Sequence, residues 1–271
     1  MEIFSNIFAS VALGVVEGIT EFLPISSTGH LILVNQFLTA TESLGKGFMD
    51  MFNIVIQLGA ILAVIVVFWR KVFPIGIINS GRNLTVRKLW WKIIISVIPA
   101  LVIGGIFGSL IQDKFFNPFV VAGALILGGI AILIIERIPH RSSVQSIESM
   151  SYSTAFLIGL AQCIAIIPGV SRSASTIVGG LLCGSTRVVA TEFSFLLAVP
   201  TIAAASAYSL IKYEGSINLS GWLYLSIGFV VSFAVALLVI RLFMGYVQKN
   251  NFDAFGYYRI ILGLLVLAYF I

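Results

Sequence analysis

Six uninterrupted apolar stretches, at 54–69, 93–111, 119–135, 193–211, 222–240 and 257–271, leave this chain very few folds. At a helical rise of ~1.5 Å per residue each is long enough, or nearly so, to cross a ~30 Å hydrocarbon layer. Lipid offers no partner to a backbone N–H or C=O, and a helix satisfies both within one segment. Composition agrees: 59% hydrophobic residues, only 10% charged ones and a mean hydropathy of +1.08 place the chain in the polytopic membrane class. The opening MEIFSNIFASVALGVV lacks a basic leader and a small-residue cleavage site, so it reads as part of the fold and not as a signal peptide.

Two further apolar segments, 7–38 and 154–182, are broken in the middle by proline, glycine and runs of hydroxyls, and these read as re-entrant hairpins. They resemble each other. Setting LGVVEGITEFLPISSTGH against IGLAQCIAIIPGVSRSAS brings Gly14 onto Gly159, Glu17 onto Gln162 and Ser26 onto Ser171, with Pro24 and Pro168 one residue out of step. A second echo pairs Phe116-Asn-Pro-Phe119 with Phe252-Asp-Ala-Phe255, each just before the last span of its half. The chain therefore reads as a duplication of 1–140 and 150–271 within one membrane domain.

One hairpin and three spans per half give an odd number of crossings, which turns the second half upside down. The expected fold is an all-α polytopic membrane protein, an inverted repeat whose halves each hold a re-entrant helical hairpin and three transmembrane helices. Charge supports that topology. One side carries Arg70, Lys71, Arg82, Arg87, Lys88, Lys92, Arg137, Arg141, Arg187, Arg241 and Lys249, the other only Lys46, Lys114 and Lys212, a positive-inside bias of eleven to three. The first hairpin then opens outward and the second to the cytoplasm, with tips meeting near mid-membrane.

The tips carry the chemistry. Glu17 and Glu21 are four residues apart on one helical face, where an ionised carboxylate at bilayer centre costs ~2.5–3.5 kcal/mol on insertion scales. A shared proton or a structural hydrogen bond would satisfy them; so would general acid/base work or a hard divalent cation, which would also bridge phosphate oxygens. Next come Pro24, Ser26, Ser27, Thr28 and His30: a helix break, hydroxyls of which one can cap the next helix, and an imidazole able to move protons at neutral pH. In the second hairpin Gly169 permits a tight turn, Ser171, Ser173 and Thr176 add donors, and Arg172 offers a planar fork suited to an oxyanion or, alternatively, to Glu17 or Glu21 as counter-ion. An acid and histidine tip facing an arginine and hydroxyl tip suits hydrolysis of a phosphoanhydride.

Other polar residues have plainer readings. Arg259 and Glu192, near span starts, are expected to snorkel. Gly104, Gly105 and Gly108, with Gly128 and Gly129, are expected to permit close helix packing. Cys163 and Cys183 match no metal or redox spacing. The net charge of +5 sits at the ends of apolar segments without interleaved aromatics, which argues against nucleic acid as a partner.

GVVEGITEFLPISSTGHLILV together with PGVSRSAST is very similar to the two signature motifs of the undecaprenyl-diphosphate phosphatases of the bacitracin-resistance type, and the resemblance extends over nearly the whole length. It implies a multi-pass enzyme of the bacterial plasma membrane whose substrate is a polyprenyl diphosphate lipid. The enzyme would release phosphate, return the monophosphate carrier to peptidoglycan synthesis, depend on a divalent cation such as Mg or Ca, and raise tolerance of bacitracin. Motif by motif, the acidic pair falls on Glu17 and Glu21, the serine and histidine on Ser27 and His30, and the anion-binding arginine on Arg172 with Ser171, Ser173 and Thr176 around it; Ser26 joins the substrate-binding set. The residues leave the nucleophile open among Ser27 with His30 as its base, His30 itself, and a water activated by Glu21 or a metal. An inverted-repeat secondary transporter or lipid-phosphate flippase is the main alternative, since broken helices meeting at mid-membrane also serve transport. Intramembrane proteolysis fits the arginine and hydroxyl tip less well, and an idle scaffold would leave the buried polar groups unexplained. Oligomeric state is left open.

Overall fold

The computed structural model describes residues 2–38, 44–73, 80–115, 117–139, 142–213 and 215–271. Phe116 of the second echo and Arg141 of the basic loops lie outside the described residues, as does the side chain of Arg82. The described chain is helical almost throughout, and its only extended pairing there is a single bridge between Val144 and Ser185.

Helix α1 (Glu2–Thr20) runs to the first break, where residues 21–25 turn around Pro24, and α2 (Ser27–Phe37) leads away from it. Three long helices follow: α3 (Lys46–Val67), with the one-turn α4 (Trp69–Val72) at its end, α5 (Ser80–Phe115) and α6 (Pro118–Arg137). The pattern then recurs. Helix α7 (Tyr152–Gln162) passes through a 3₁₀ turn (Cys163–Ile166) into the second break, α8 (Arg172–Leu182) leaves it, and α9 (Arg187–Lys212), α10 (Leu219–Val247) and α11 (Asp253–Phe270) complete the chain. Among the described residues seven helices are long and apolar enough to cross a membrane, one more than the six expected, because α1 is itself an apolar helix of 19 residues. The first hairpin therefore has a full-length arm where the second has a short one.

Local sequence sets these boundaries. Asn117 accepts from the N–H of Val120 with Pro118 in the first turn, Ser151 caps α7, Thr186 caps α9 and Asn218 caps α10 in the same way. Pro99 and Pro200 fall inside α5 and α9, where each removes one backbone donor from its helix.

Packing follows small residues. Helices α1 and α10 run parallel in contact, because a Cβ on Gly14 or Gly18 would come within 2.8 Å of the Gly228 or Ser232 carbonyl. Gly159 does the same for α7 against α5, where its neighbour is the backbone of Ser96. The two aligned glycines thus hold matching places. Helices α6 and α11 pack antiparallel through Gly129, Gly256 and Gly263. Among the described residues nothing lies within 4 Å of a Cβ placed on Gly105 or Gly108, and one on Gly104 meets only Ile166, so that expected packing motif faces open surroundings. Exposed Phe4, Phe8, Ile106, Leu127 and Leu238 cover the outside with apolar side chains, as lipid requires.

Candidate active site

The two breaks meet. Each is followed by a serine in a backbone conformation unusual for an L-residue: Ser26 at φ 72° and Ser171 at φ 75° are the only non-glycine residues of positive φ among those described. Each caps its helix, Ser26 accepting from the N–H of Gly29 and Ser171 from that of Ala174. At Ser171 this geometry turns the chain sharply enough to set the residues beyond the cap, Arg172 and Ser173, against the first tip. Ser173 donates to the carbonyl of Leu23 at 2.8 Å, a direct bond between the hairpins.

Arg172 forms the second bond. Its Nη2 reaches Glu21 Oε1 at 2.9 Å, and its Nη1 is held by the Ser194 carbonyl of α9 at 2.9 Å, while the ring of Phe22 lies 5.8 Å beneath the guanidinium. The other Glu21 oxygen accepts from the Ser27 hydroxyl at 2.7 Å. Cation, carboxylate and hydroxyl thus form one chain across the junction. Glu17 is fully buried one turn before Glu21, and among the described residues no N–H or hydroxyl donates to either of its oxygens.

His30 does not act on Ser27 in this arrangement. Nδ1 lies 2.7 Å from the Ser26 carbonyl, which can only accept, so that nitrogen carries a proton. In the neutral ring Nε2 then accepts from the Tyr258 hydroxyl 2.6 Å away, and the two rings stack with planes 6° apart. The base in contact with Ser27 is Glu21. Thr176 also differs from expectation: its hydroxyl is buried between α8 and α9, bonded to Ser194 Oγ at 2.6 Å and to the carbonyls of Arg172 and Ser173. Through the Arg172 carbonyl and Ser194 it braces the start of α8 against α9. Ser171 is spent on its cap and on Ser173.

Arg259 corrects the sequence reading most. It is wholly buried, not snorkelling, and its guanidinium donates to the carbonyls of Pro24, Ala124, Leu125, Gly169 and Val170. One side chain therefore ties both breaks to α6. Gly128 makes the room, since a Cβ there would collide with the guanidinium. Glu192 is also buried, paired with Lys71. The missed signal was an arginine inside an apolar run facing a pair of glycines, and an intramembrane charge is a functional hypothesis by default.

Among the described residues, no three His, Cys, Asp or Glu side chains come together. Glu17, with two buried and undonated oxygens beside Glu21, still fits a hard cation that takes few protein ligands and completes its shell with phosphate and water.

The family model described as Bacitracin resistance protein BacA matches residues 10–265. This chain belongs to the BacA family. Among its BacA relatives, "Undecaprenyl-diphosphatase 1" of Clostridioides difficile (strain 630) is 49% identical over 276 residues, covering 100% of this chain and 99% of that protein. "Undecaprenyl-diphosphatase" of Lachnoclostridium phytofermentans is 46% identical over 99% of this chain and 98% of its own, and that of Enterococcus faecalis 45% over 97% of each. The BacA match spans both hairpins and every residue of the junction, Glu17 through Arg259.

Proposed function

We propose that this protein hydrolyses undecaprenyl diphosphate to undecaprenyl phosphate and inorganic phosphate, with the junction of the two hairpins as its catalytic centre. The observation that carries this is the chain from Arg172 through Glu21 to Ser27, a cation, a base and a nucleophile supplied by opposite halves. Relatives named undecaprenyl-diphosphatase over essentially the whole length support the same reaction.

Glu21 takes the Ser27 proton as Oγ attacks the terminal phosphorus. The P–O bond to the bridging oxygen breaks, and its electron pair leaves with the lipid monophosphate. Arg172, already aimed at the junction, exchanges Glu21 for the phosphoryl oxygens and neutralises the charge gathering there. After Glu21 has lost its proton to solvent, it deprotonates the water that cleaves phosphoserine, and the proton returns to Ser27 as phosphate departs. Arg259 adds a fixed positive charge beneath both breaks, and Tyr258 orients His30 beside the leaving group. Glu17 and Glu21 would hold a divalent cation, which would supply further charge neutralisation to the diphosphate.

The basic side of the chain faces the cytoplasm in this reading, the halves are inverted relative to each other, and the junction opens to the outer face with the prenyl tail between spans. The product re-enters peptidoglycan synthesis, and overproduction gives bacitracin tolerance. Purified protein given undecaprenyl diphosphate should release phosphate, and Ser27→Ala, Glu21→Ala and Arg172→Ala should each lower kcat by about a thousandfold. Binding of the lipid without phosphate release by the unmodified protein would favour a transporter instead.

A further inference from the structure

A cavity of about 290 Å³ opens where α4, the start of α5 and the loop before α7 come together, with no hairpin-tip residue in its wall. Arg70, Lys71, Lys88 and Lys92 line it against two carboxylates, Glu148 and Glu192, and the second of these is already paired with Lys71. The wall is thus net positive. Lys88 and Lys92 stand one helical turn apart on α5, an unfavourable like-charge spacing, and Glu148 meets Lys92 from the loop before α7. Lys92 is 4% exposed, and the carbonyls of Ile147 and Glu148 fix its ammonium at 2.7 and 3.0 Å.

The walls are held together before any ligand arrives, because Trp90 Nε1 donates across them to the Val72 carbonyl at 3.0 Å. Trp69 and Trp91, adjacent in sequence to Arg70 and Lys92, are exposed on the outside of the same helices. Tryptophans in this position mark the level of the lipid headgroups. A preorganised cationic cavity at that depth suits a phosphate carried on a membrane amphiphile.

We propose that this cavity binds the phosphate of an anionic lipid headgroup, at a site separate from the hairpin junction and independent of the reaction assigned there. The shared chemistry is a phosphate-bearing anion, whose other source is free phosphate in solution.

The test is native mass spectrometry of the full-length protein in detergent, incubated in parallel with dioleoylphosphatidylglycerol, dioleoylphosphatidylcholine and inorganic phosphate. The unmodified protein should retain the glycerol lipid about tenfold over the choline lipid, and Arg70→Gln/Lys88→Gln should abolish the preference while phosphate release from undecaprenyl diphosphate stays unchanged. If inorganic phosphate binds in place of the lipid and is lost in the same variant, the anion site stands and its source is soluble. Equal lipid retention by variant and unmodified protein, with no phosphate bound to either, overturns the proposal. Should the double variant melt early, Lys88→Gln alone, at an exposed position, gives the same readout.

Discussion

The two hairpin tips share a backbone and differ in chemistry. Both turn through a serine at φ near 72–75° that caps the following helix, and both seat their first arm on a partner helix through an aligned glycine, Gly14 or Gly159. The first tip then supplies carboxylates and a hydroxyl, Glu17, Glu21 and Ser27, whereas the second supplies donors, Arg172 and Ser173. Where the first arm has Glu17 the second has Gln162, whose amide oxygen takes a bond from Thr201. The two turns share one backbone geometry, and in the proposed reaction their side chains divide the work between two faces.

The largest effect should come from the residue that binds both tips. Arg259→Met strands five carbonyls at once, so stability should fall by about 3–5 kcal/mol, read as a lowered Tm in detergent. Gly128→Ala should lower it by about 1–3 kcal/mol through collision with the same guanidinium. An unchanged melt in both would mean that the tips do not depend on this clamp.

The next comparison separates the arms. Glu17→Gln makes the first arm like the second and should reduce kcat about a hundredfold with the fold intact, whereas Gln162→Ala should leave it within about threefold. Equal losses would erase the proposed division of labour. Tyr258→Phe frees His30 Nε2 and should cost about tenfold in kcat with little change in KM, together with a displaced limb in the pH profile. A purely structural role for Tyr258 would leave that profile in place.

The smallest effect tests the shared strain. Glycine tolerates positive φ at the loss of a few tenths of a kcal/mol of capping, so Ser26→Gly and Ser171→Gly should each raise stability by about 1 kcal/mol or less. Opposite signs at the two positions would break the correspondence between the turns.

Much of this was legible in the sequence, for reasons that also explain what was not. Apolar length marks a span without knowledge of its neighbours, and Pro24 and Pro168-Gly169 mark the breaks by covalent geometry alone, so the helical architecture and the positions of both tips could be read directly. Glu21, Ser27 and Arg172 could be nominated because polar groups at membrane depth demand partners. Depth itself was the weak point. Arg259 stands six residues into α11, and only the register of that helix against Gly128 shows that it points inward. Thr176 shares a face with Arg172 by helical spacing, but that face is turned to Ser194 of α9, a contact no local pattern contains. His30 lies three residues from Ser27, yet its ring is claimed by Tyr258 from the far end of the chain.

A double-mutant cycle on Glu21 and Arg172, scored by phosphate release from undecaprenyl diphosphate, probes the union of the tips most directly. If one centre spans both hairpins, Glu21→Ala/Arg172→Ala should be little worse than either single variant, with a coupling of about 2 kcal/mol or more. Losses that simply add would show two groups working apart and contradict a shared centre.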